Sequence, residues 1–129
     1  MTCEPQNRIF ITSKCRIELL DNEICFFQYK KGEHIELEDY LEAHIVLLEI
    51  SEEKIWKILV EFPKNTSISQ EARKYAEQTN LDVTAQAIII STLAQRILVR
   101  FYYLVRRSQF PIKIFEIKND AIKWLKSLD

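Results

Sequence analysis

The first thirty residues show the alternation of polar and apolar positions that is typical of β-strands. Ile9 to Leu20 contains the alternating run Arg16-Ile17-Glu18-Leu19, and Ile24 to Tyr29 is rich in aromatic residues. Only the polar pair Asp21-Asn22 and Glu23 separate the two runs, and so short a break favours a hairpin turn. The pattern therefore predicts two antiparallel strands, followed by a loop from Lys30 to Glu33.

After Gly32 the spacing of apolar residues changes to that of an α-helix. A stripe with this spacing consists of Leu37, Leu41, His44, Ile45 and Leu48. Acidic residues around Leu37 suit the positive end of a helix dipole. The pattern predicts a helix that begins near Leu37 and has this stripe as its apolar face.

Strands and helices alternate along the rest of the chain. The predicted strands are Ile55 to Phe62, Ala85 to Ser91 and Ile112 to Ile117. The predicted helices are Ser69 to about Gln78, Thr92 to about Arg107 and Asp120 to Leu128, with Ser69, Thr92 and Asn119 as N-caps. The continuous apolar run Ala87-Ile-Ile-Ile90 is typical of a strand that is covered on both faces.

This order, β-β-α-β-α-β-α-β-α, predicts a single α/β domain over residues 1-129. Right-handed crossovers then give a mostly parallel five-stranded sheet with an antiparallel N-terminal strand and four helices. The strand Ala85 to Ser91 belongs in the interior of this sheet.

Composition narrows the classes of function. The chain has 18 basic and 19 acidic residues, so no overall positive field attracts nucleic acid, and we expect no nucleic-acid partner. Its single glycine, Gly32, excludes the glycine-rich loops with which P-loop and Rossmann proteins approach phosphates. No apolar run approaches the ~20 residues that cross a bilayer, so we expect no membrane insertion.

The three cysteines, Cys3, Cys15 and Cys25, are far apart and lack the C-x-x-C spacing of zinc or redox sites. They are interpreted as free thiols in a reducing compartment. Because Met1 to Asn7 lacks the apolar stretch of a signal peptide, we expect a cytoplasmic protein. No metal or other cofactor is expected.

Several segments resemble small bacterial SpoIIAA-like (STAS-like) domains, and in particular an uncharacterised branch of single-domain members. These segments are Ile58 to Arg73, Ala87 to Ser91, Phe110 to Phe115 and Ala121 to Leu125. The resemblance implies the fold predicted above. Anti-sigma antagonists of this type carry an Asp-Ser-Ser/Thr-Gly signature whose serine is phosphorylated. The matching positions here read Ser69-Gln70-Glu71-Ala72, with Gln70 at the phosphorylated serine, so we expect no phosphate switch of that type.

One set of polar residues is a candidate for ligand binding, and the two histidines are weighed as possible catalytic groups. Ligands of open α/β sheets gather beyond the carboxyl ends of the strands, and weak ligand-binding candidates there are Lys64, Asn65, Ser67, Ser69, Ser91 and Thr92. Helix capping is the alternative role for Ser69 and Thr92. The histidines His34 and His44 lack a sequence pattern that pairs them with a nucleophile, so they are interpreted as non-catalytic.

The predicted helix Thr92 to Arg107 has an apolar arc that is wider than one core-facing stripe requires. We therefore expect a homodimer or another protein contact at this helix. The residues assigned to this interaction surface are Arg96, Leu98, Arg100, Tyr102, Tyr103, Val105 and Arg107.

The sequence leaves two functions open. The first is a non-enzymatic protein-interaction or regulatory module, which rests on the absence of a catalytic motif and on the wide apolar helix. The alternative is a small-molecule or lipid-binding domain with a pocket at the carboxyl ends of the parallel strands. A packed interior favours the first, and a large apolar void favours the second.

Overall fold

The computed structural model describes residues 8–52, 54–78, 83–90, 92 and 111–128. Its strands are β1 (Ile9–Ile11), β2 (Cys15–Leu20), β3 (Ile24–Tyr29), β4 (His34–Ile35), β5 (Trp56–Phe62), β6 (Ser67–Ile68), β7 (Val83–Ile90) and β8 (Ile112–Phe115). Its helices are α1 (Leu37–Ile50), α2 (Gln70–Gln78) and α3 (Lys118–Ser127). The predicted helix Thr92 to Arg107 lies outside the described residues, apart from Thr92 itself.

The main sheet is mixed and mostly parallel, as the sequence predicts. Within the described residues its six strands are ordered β1-β2-β3-β5-β7-β8. The pairs β1–β2 and β2–β3 are antiparallel, whereas β3–β5, β5–β7 and β7–β8 are parallel. The predicted hairpin and the interior position of β7 are both confirmed.

The prediction of five strands is wrong, because the predicted strand Ile9 to Leu20 divides into β1 and β2. The Thr12 hydroxyl closes the turn between them. It donates a hydrogen bond to the Cys15 carbonyl oxygen at 3.2 Å and accepts one from the Cys15 N–H at 3.1 Å. A side chain that bonds the backbone in this way competes with a continuous strand.

The two faces of the sheet have separate cores. Alternation along β3 directs Cys25 and Phe27 toward α1, and Ile24 and Phe26 toward α3. Leu125 of α3 is fully buried in the second core. The helices α1 and α2 contact each other on the first face, so that face carries two helices side by side.

The buried stripe of α1 differs from the predicted one. Ala43, Leu47 and Ile50 pack on the sheet, whereas Ile45 and Leu48 are 57% and 56% exposed. Because α1 carries apolar residues around most of its circumference, sequence spacing cannot select the stripe that the sheet covers.

Of the predicted N-cap residues, Ser69 and Asn119 differ in outcome. The Ser69 hydroxyl accepts a hydrogen bond from the Ala72 N–H at 3.1 Å, so the predicted cap of α2 is confirmed. The predicted cap at Asn119 is wrong. The helix α3 begins at Lys118 with Ile117 as its N-cap residue, which places Asn119 inside the first turn.

Two short strands join the loops at the carboxyl edge of the sheet. His34 pairs with Ser67 and Ile35 with Ile68 in a parallel β4–β6 ladder. Beside it, the Ser69 N–H donates a hydrogen bond to the Ile35 carbonyl oxygen at 2.8 Å. Since β4 precedes α1 and β6 precedes α2, this ladder fixes the starts of the two helices relative to each other.

Candidate functional site

A cavity of about 340 Å³ lies between the sheet and the helices α1 and α2, and we call it the α1–α2 cavity. Its wall on the sheet side is mainly apolar and includes Phe27, Ile58, Val60, Phe62, Ile88 and Ile90. The helices contribute Tyr40, Ala43, His44, Leu47, Ala72 and Ala76. A volume of this size is at the lower end of small-molecule pockets, which span roughly 300–1,000 Å³.

Small side chains on the helices open this space. Ala43 of α1 and the pair Ala72 and Ala76 of α2 face the sheet across the cavity. Ala72 and Ala76 are four residues apart and therefore lie on one face of α2. A methyl group at each of these positions leaves unfilled the volume that a leucine would occupy.

Aromatic stacking keeps two large side chains against the wall. The rings of Tyr29 and Phe62 are 5.3 Å apart between centroids and within 4° of parallel. Burial raises the pKa of Tyr29 well above its usual range, so its hydroxyl is neutral at physiological pH.

Three rings meet where α1 and α2 are adjacent. The Nδ1 atom of His44 lies 2.8 Å from the Tyr75 hydroxyl oxygen, in a hydrogen bond between the two helices. The ring of Tyr40 contacts Tyr75 edge-on, with 5.7 Å between centroids. Burial lowers the pKa of His44, so its imidazole is neutral at physiological pH.

The carboxyl edge of the sheet supplies the polar part of the lining. Ser67 lines the cavity, and its hydroxyl oxygen lies 2.8 Å from Nδ1 of His34. Thr66, also a lining residue, donates a hydrogen bond to the Lys30 carbonyl oxygen at 3.1 Å. Arg73 lines the cavity from the first turns of α2.

The described members of the predicted ligand-binding set differ in their position relative to the cavity. Ser67 lines the cavity, whereas Lys64 and Asn65 are exposed on the turn before β6, and Ser69 caps α2. Thr92 is half-buried at a bend, and Ser91 lies outside the described residues. Of the described candidates, Ser67 is therefore the one that lines the cavity.

The predicted interaction surface lies entirely outside the described residues. Its members are Arg96, Leu98, Arg100, Tyr102, Tyr103, Val105 and Arg107. The homodimer expected at this surface stays a prediction.

The structure agrees with the prediction of free thiols at two of the three cysteines, and it does not bear on the compartment. Cys15 and Cys25 are free and buried, and Cys3 lies outside the described residues. Within the part of the chain that the structure describes, no three His, Cys, Asp or Glu side chains come together as a metal site would require. The same part contains no helix with the length and apolar character needed to span a membrane.

Sequence reasoning missed most of the residues that line the cavity. Tyr29, Ile58 and Ile88 read as ordinary core positions of strands, and Arg73 reads as a solvated helix residue. The available signal was the Ala72 and Ala76 pair, which gives α2 an inner face without bulk.

The architecture is similar to the crystal structure of an uncharacterized protein from the DUF3478 family with a SpoIIAA-like fold, from Shewanella loihica. The TM-score is 0.61 at 22% sequence identity, over 95% of this chain and 98% of that chain. The chain is thus an α/β domain with a SpoIIAA-like fold, and the likeness extends to the fold alone.

Comparison of the sequence with models of protein families identifies the family of this chain. The chain belongs to the family described as a domain of unknown function, DUF7793, whose model matches residues 18–129. A comparison with curated proteins gives no match.

Proposed function

We propose that this domain is a non-enzymatic module that binds a small, mainly apolar molecule in the α1–α2 cavity. The observation that carries the proposal is the cavity itself, with about 340 Å³ between a β-branched and aromatic sheet surface and two alanine-bearing helices. Protein interiors are otherwise close-packed, with few voids larger than a water molecule. An apolar void of this size therefore favours binding over the packed interior expected of a purely protein-interacting module.

The volume sets the size of the molecule. At roughly 30 Å³ for each non-hydrogen atom, by analogy with the volume of water in the liquid, the cavity accommodates about eleven such atoms. A straight-chain alcohol of medium length is a suitable neutral probe, because each methylene buried contributes about 0.8 kcal/mol.

The test is a series of 1-alkanols of increasing length, measured by isothermal titration calorimetry. We expect the affinity to rise about fourfold with each methylene until the cavity is full, and then to stop rising. Failure of every alkanol to bind would overturn the proposal.

A pair of variants on α2 locates the binding site. Ala76→Leu places extra volume inside the cavity, so the longest alkanol that still gains affinity should become shorter by about three carbons. Glu71→Leu places the same side chain on an exposed position of the same helix and should leave the length limit unchanged. Equal length limits in the two variants would place binding elsewhere.

Protein–protein contact is a second candidate function, favoured by the outer face of α1. Ile45 and Leu48 are 57% and 56% exposed and lie three residues apart on that face. We propose that this pair contacts another protein molecule, which does not exclude ligand binding on the opposite side of the helix. Sedimentation velocity should then show an oligomer or complex that the double change Ile45→Glu and Leu48→Glu reduces to a folded monomer.

A further inference from the structure

The described lining of the α1–α2 cavity carries positive charge and no negative charge. Among the described residues that line it, Arg73 alone carries a full charge at physiological pH. Tyr29 and Tyr40 are phenols, and burial lowers the pKa of His44 so that its imidazole is neutral. The described lining therefore has one positive charge and no carboxylate to balance it.

Arg73 has no carboxylate partner among the side chains that the structure describes, since no ion pair joins its guanidinium to any of their carboxylates. Asp39 at the start of α1 pairs with Lys14, with 3.0 Å between Oδ2 and Nζ. Glu61 of β5 accepts a hydrogen bond from the Gln28 amide at 3.0 Å. Glu71, on the same helix as Arg73, is exposed and is not part of the lining.

The position of Arg73 gives the cavity a polar end and an apolar end. The helix α2 starts at the carboxyl edge of the sheet, so Arg73 lies near that edge, together with the hydroxyl groups of Thr66 and Ser67. Leu47 and Ile58 belong to the opposite half, because α1 runs back from this edge and Ile58 is near the start of β5. An arginine stem can line an apolar wall while its exposed head stays at the rim.

We propose that the α1–α2 cavity binds an alkyl carboxylate of medium chain length, with its carboxylate on Arg73 and its chain in the apolar interior. This inference rests on the proposed ligand-binding function and adds the chemical class of the ligand. A planar guanidinium matches a carboxylate with two parallel hydrogen bonds, which a lysine cannot reproduce. About eleven non-hydrogen atoms fill the volume, which corresponds to a ligand close to decanoate in size.

The test compares three ten-carbon probes that differ in the charge of the head group. Decanoate, 1-decanol and decylammonium are titrated into the full chain at neutral pH and low ionic strength. We expect decanoate to bind about tenfold more tightly than 1-decanol, and decylammonium to bind most weakly, because a charged hydrogen bond adds to burial of the chain.

Variants at Arg73 distinguish the contribution of the ligand's head group to binding from that of its alkyl chain. Arg73→Gln should weaken decanoate binding about tenfold and leave 1-decanol binding within about twofold. Arg73→Lys should restore part of the loss, since it keeps the charge but not the planar fork. Lys74→Gln removes one positive charge from the adjacent exposed position, outside the lining, and should leave decanoate binding unchanged.

The experiment distinguishes a wrong assignment of the head group from a complete absence of ligand binding. If none of the three probes binds, the proposed function is wrong and this inference falls with it. If 1-decanol binds as tightly as decanoate, or Arg73→Gln and Lys74→Gln weaken decanoate equally, the cavity binds apolar chains but the carboxylate assignment is overturned.

Discussion

The Nδ1 atom of His44 lies 2.8 Å from the hydroxyl oxygen of Tyr75, and this hydrogen bond joins α1 to α2 beside the α1–α2 cavity. The two rings are also in edge-on contact, with 5.6 Å between their centroids. His44 lines the cavity on the helix side. The charge of one imidazole is therefore coupled to the packing of the two helices that cover the cavity.

Protonation of His44 should destabilise the fold. Burial lowers the pKa of His44 below its ordinary value of 6.5, so the unfolded chain takes up a proton before the folded chain does. The free energy of unfolding should consequently decrease as the pH falls through 6.5, and level off below the lower pKa of the folded state. Urea denaturation between about pH 8 and about pH 5 measures this, and His44→Gln should flatten the decrease. His34 is unchanged in that variant, so an equal pH dependence in both proteins would contradict the assignment to His44.

Cys15 and Cys25 should be unreactive while the domain is folded. Burial raises the pKa of the Cys15 thiol to about 12 and also raises the pKa of Cys25, so neither forms a thiolate at physiological pH. A Cys3→Ser variant lets a chromogenic disulfide reagent report on these two thiols alone. We expect no reaction in buffer and full reaction in denaturant. Rapid reaction of either thiol in the folded protein would show that the first sheet face is open to solvent.

The sheet could be predicted because its strongest signals are local. The strand β7 ends in the continuous apolar run Ala87 to Ile90, and its position between β5 and β8 follows from the need to cover both faces of that run. The division of β1 from β2 could not be predicted, since it depends on the hydrogen bonds of one hydroxyl, that of Thr12, within a run of strand-forming residues.

The cavity could not be predicted because its volume depends on two surfaces that are distant in sequence. Ala72 and Ala76 on α2 face Val60 and Ile88 on the sheet, and each residue by itself is typical of a core. Packing likewise determines that the Ala43 face of α1, and not the Ile45 face, is buried against the sheet. A sequence pattern shows which side chains are apolar, but not how much space remains between them.

The turn before β6 should depend on the left-handed backbone of Asn65. Its φ is 66°, a conformation that asparagine tolerates and that β-branched residues do not. Asn65→Val should lower the free energy of unfolding by about 1–2 kcal/mol, whereas Asn65→Gly should be close to neutral. Lys64→Val, at the exposed neighbouring position, is the matched control and should change stability by less than about 0.5 kcal/mol. Chemical denaturation compares the three variants, and equal losses in Asn65→Val and Lys64→Val would show that the turn is not strained.

Asp39 connects two segments through one carboxylate, and the residue is only 7% exposed. It pairs with Lys14, with 3.0 Å between Oδ2 and Nζ, and it accepts a hydrogen bond from the Glu36 N–H at 2.9 Å. The Ser13 hydroxyl oxygen lies 3.3 Å from Oδ1 of Asp39 and shares its single proton between Asp39 and Glu42. The carboxylate thus holds the β1–β2 turn against the start of α1.

Asp39→Asn should destabilise the domain in a pH-dependent way. Burial alone would raise the pKa of Asp39, but the Glu36 N–H and the Lys14 ammonium outweigh it, so the pKa lies below its ordinary value of 3.8. The stabilisation is therefore present above pH 3.8 and is lost as the pH falls toward the lower pKa of the folded state. We expect Asp39→Asn to lower the free energy of unfolding by about 1–2 kcal/mol at neutral pH, with a difference from wild type that shrinks in acid. Glu42→Gln makes the same charge change on an exposed carboxylate that also accepts a hydrogen bond from Ser13, and it should cost less than about 0.5 kcal/mol. Denaturant midpoints that are equal for the two variants, or a difference from wild type that persists unchanged in acid, would rule out this role for Asp39.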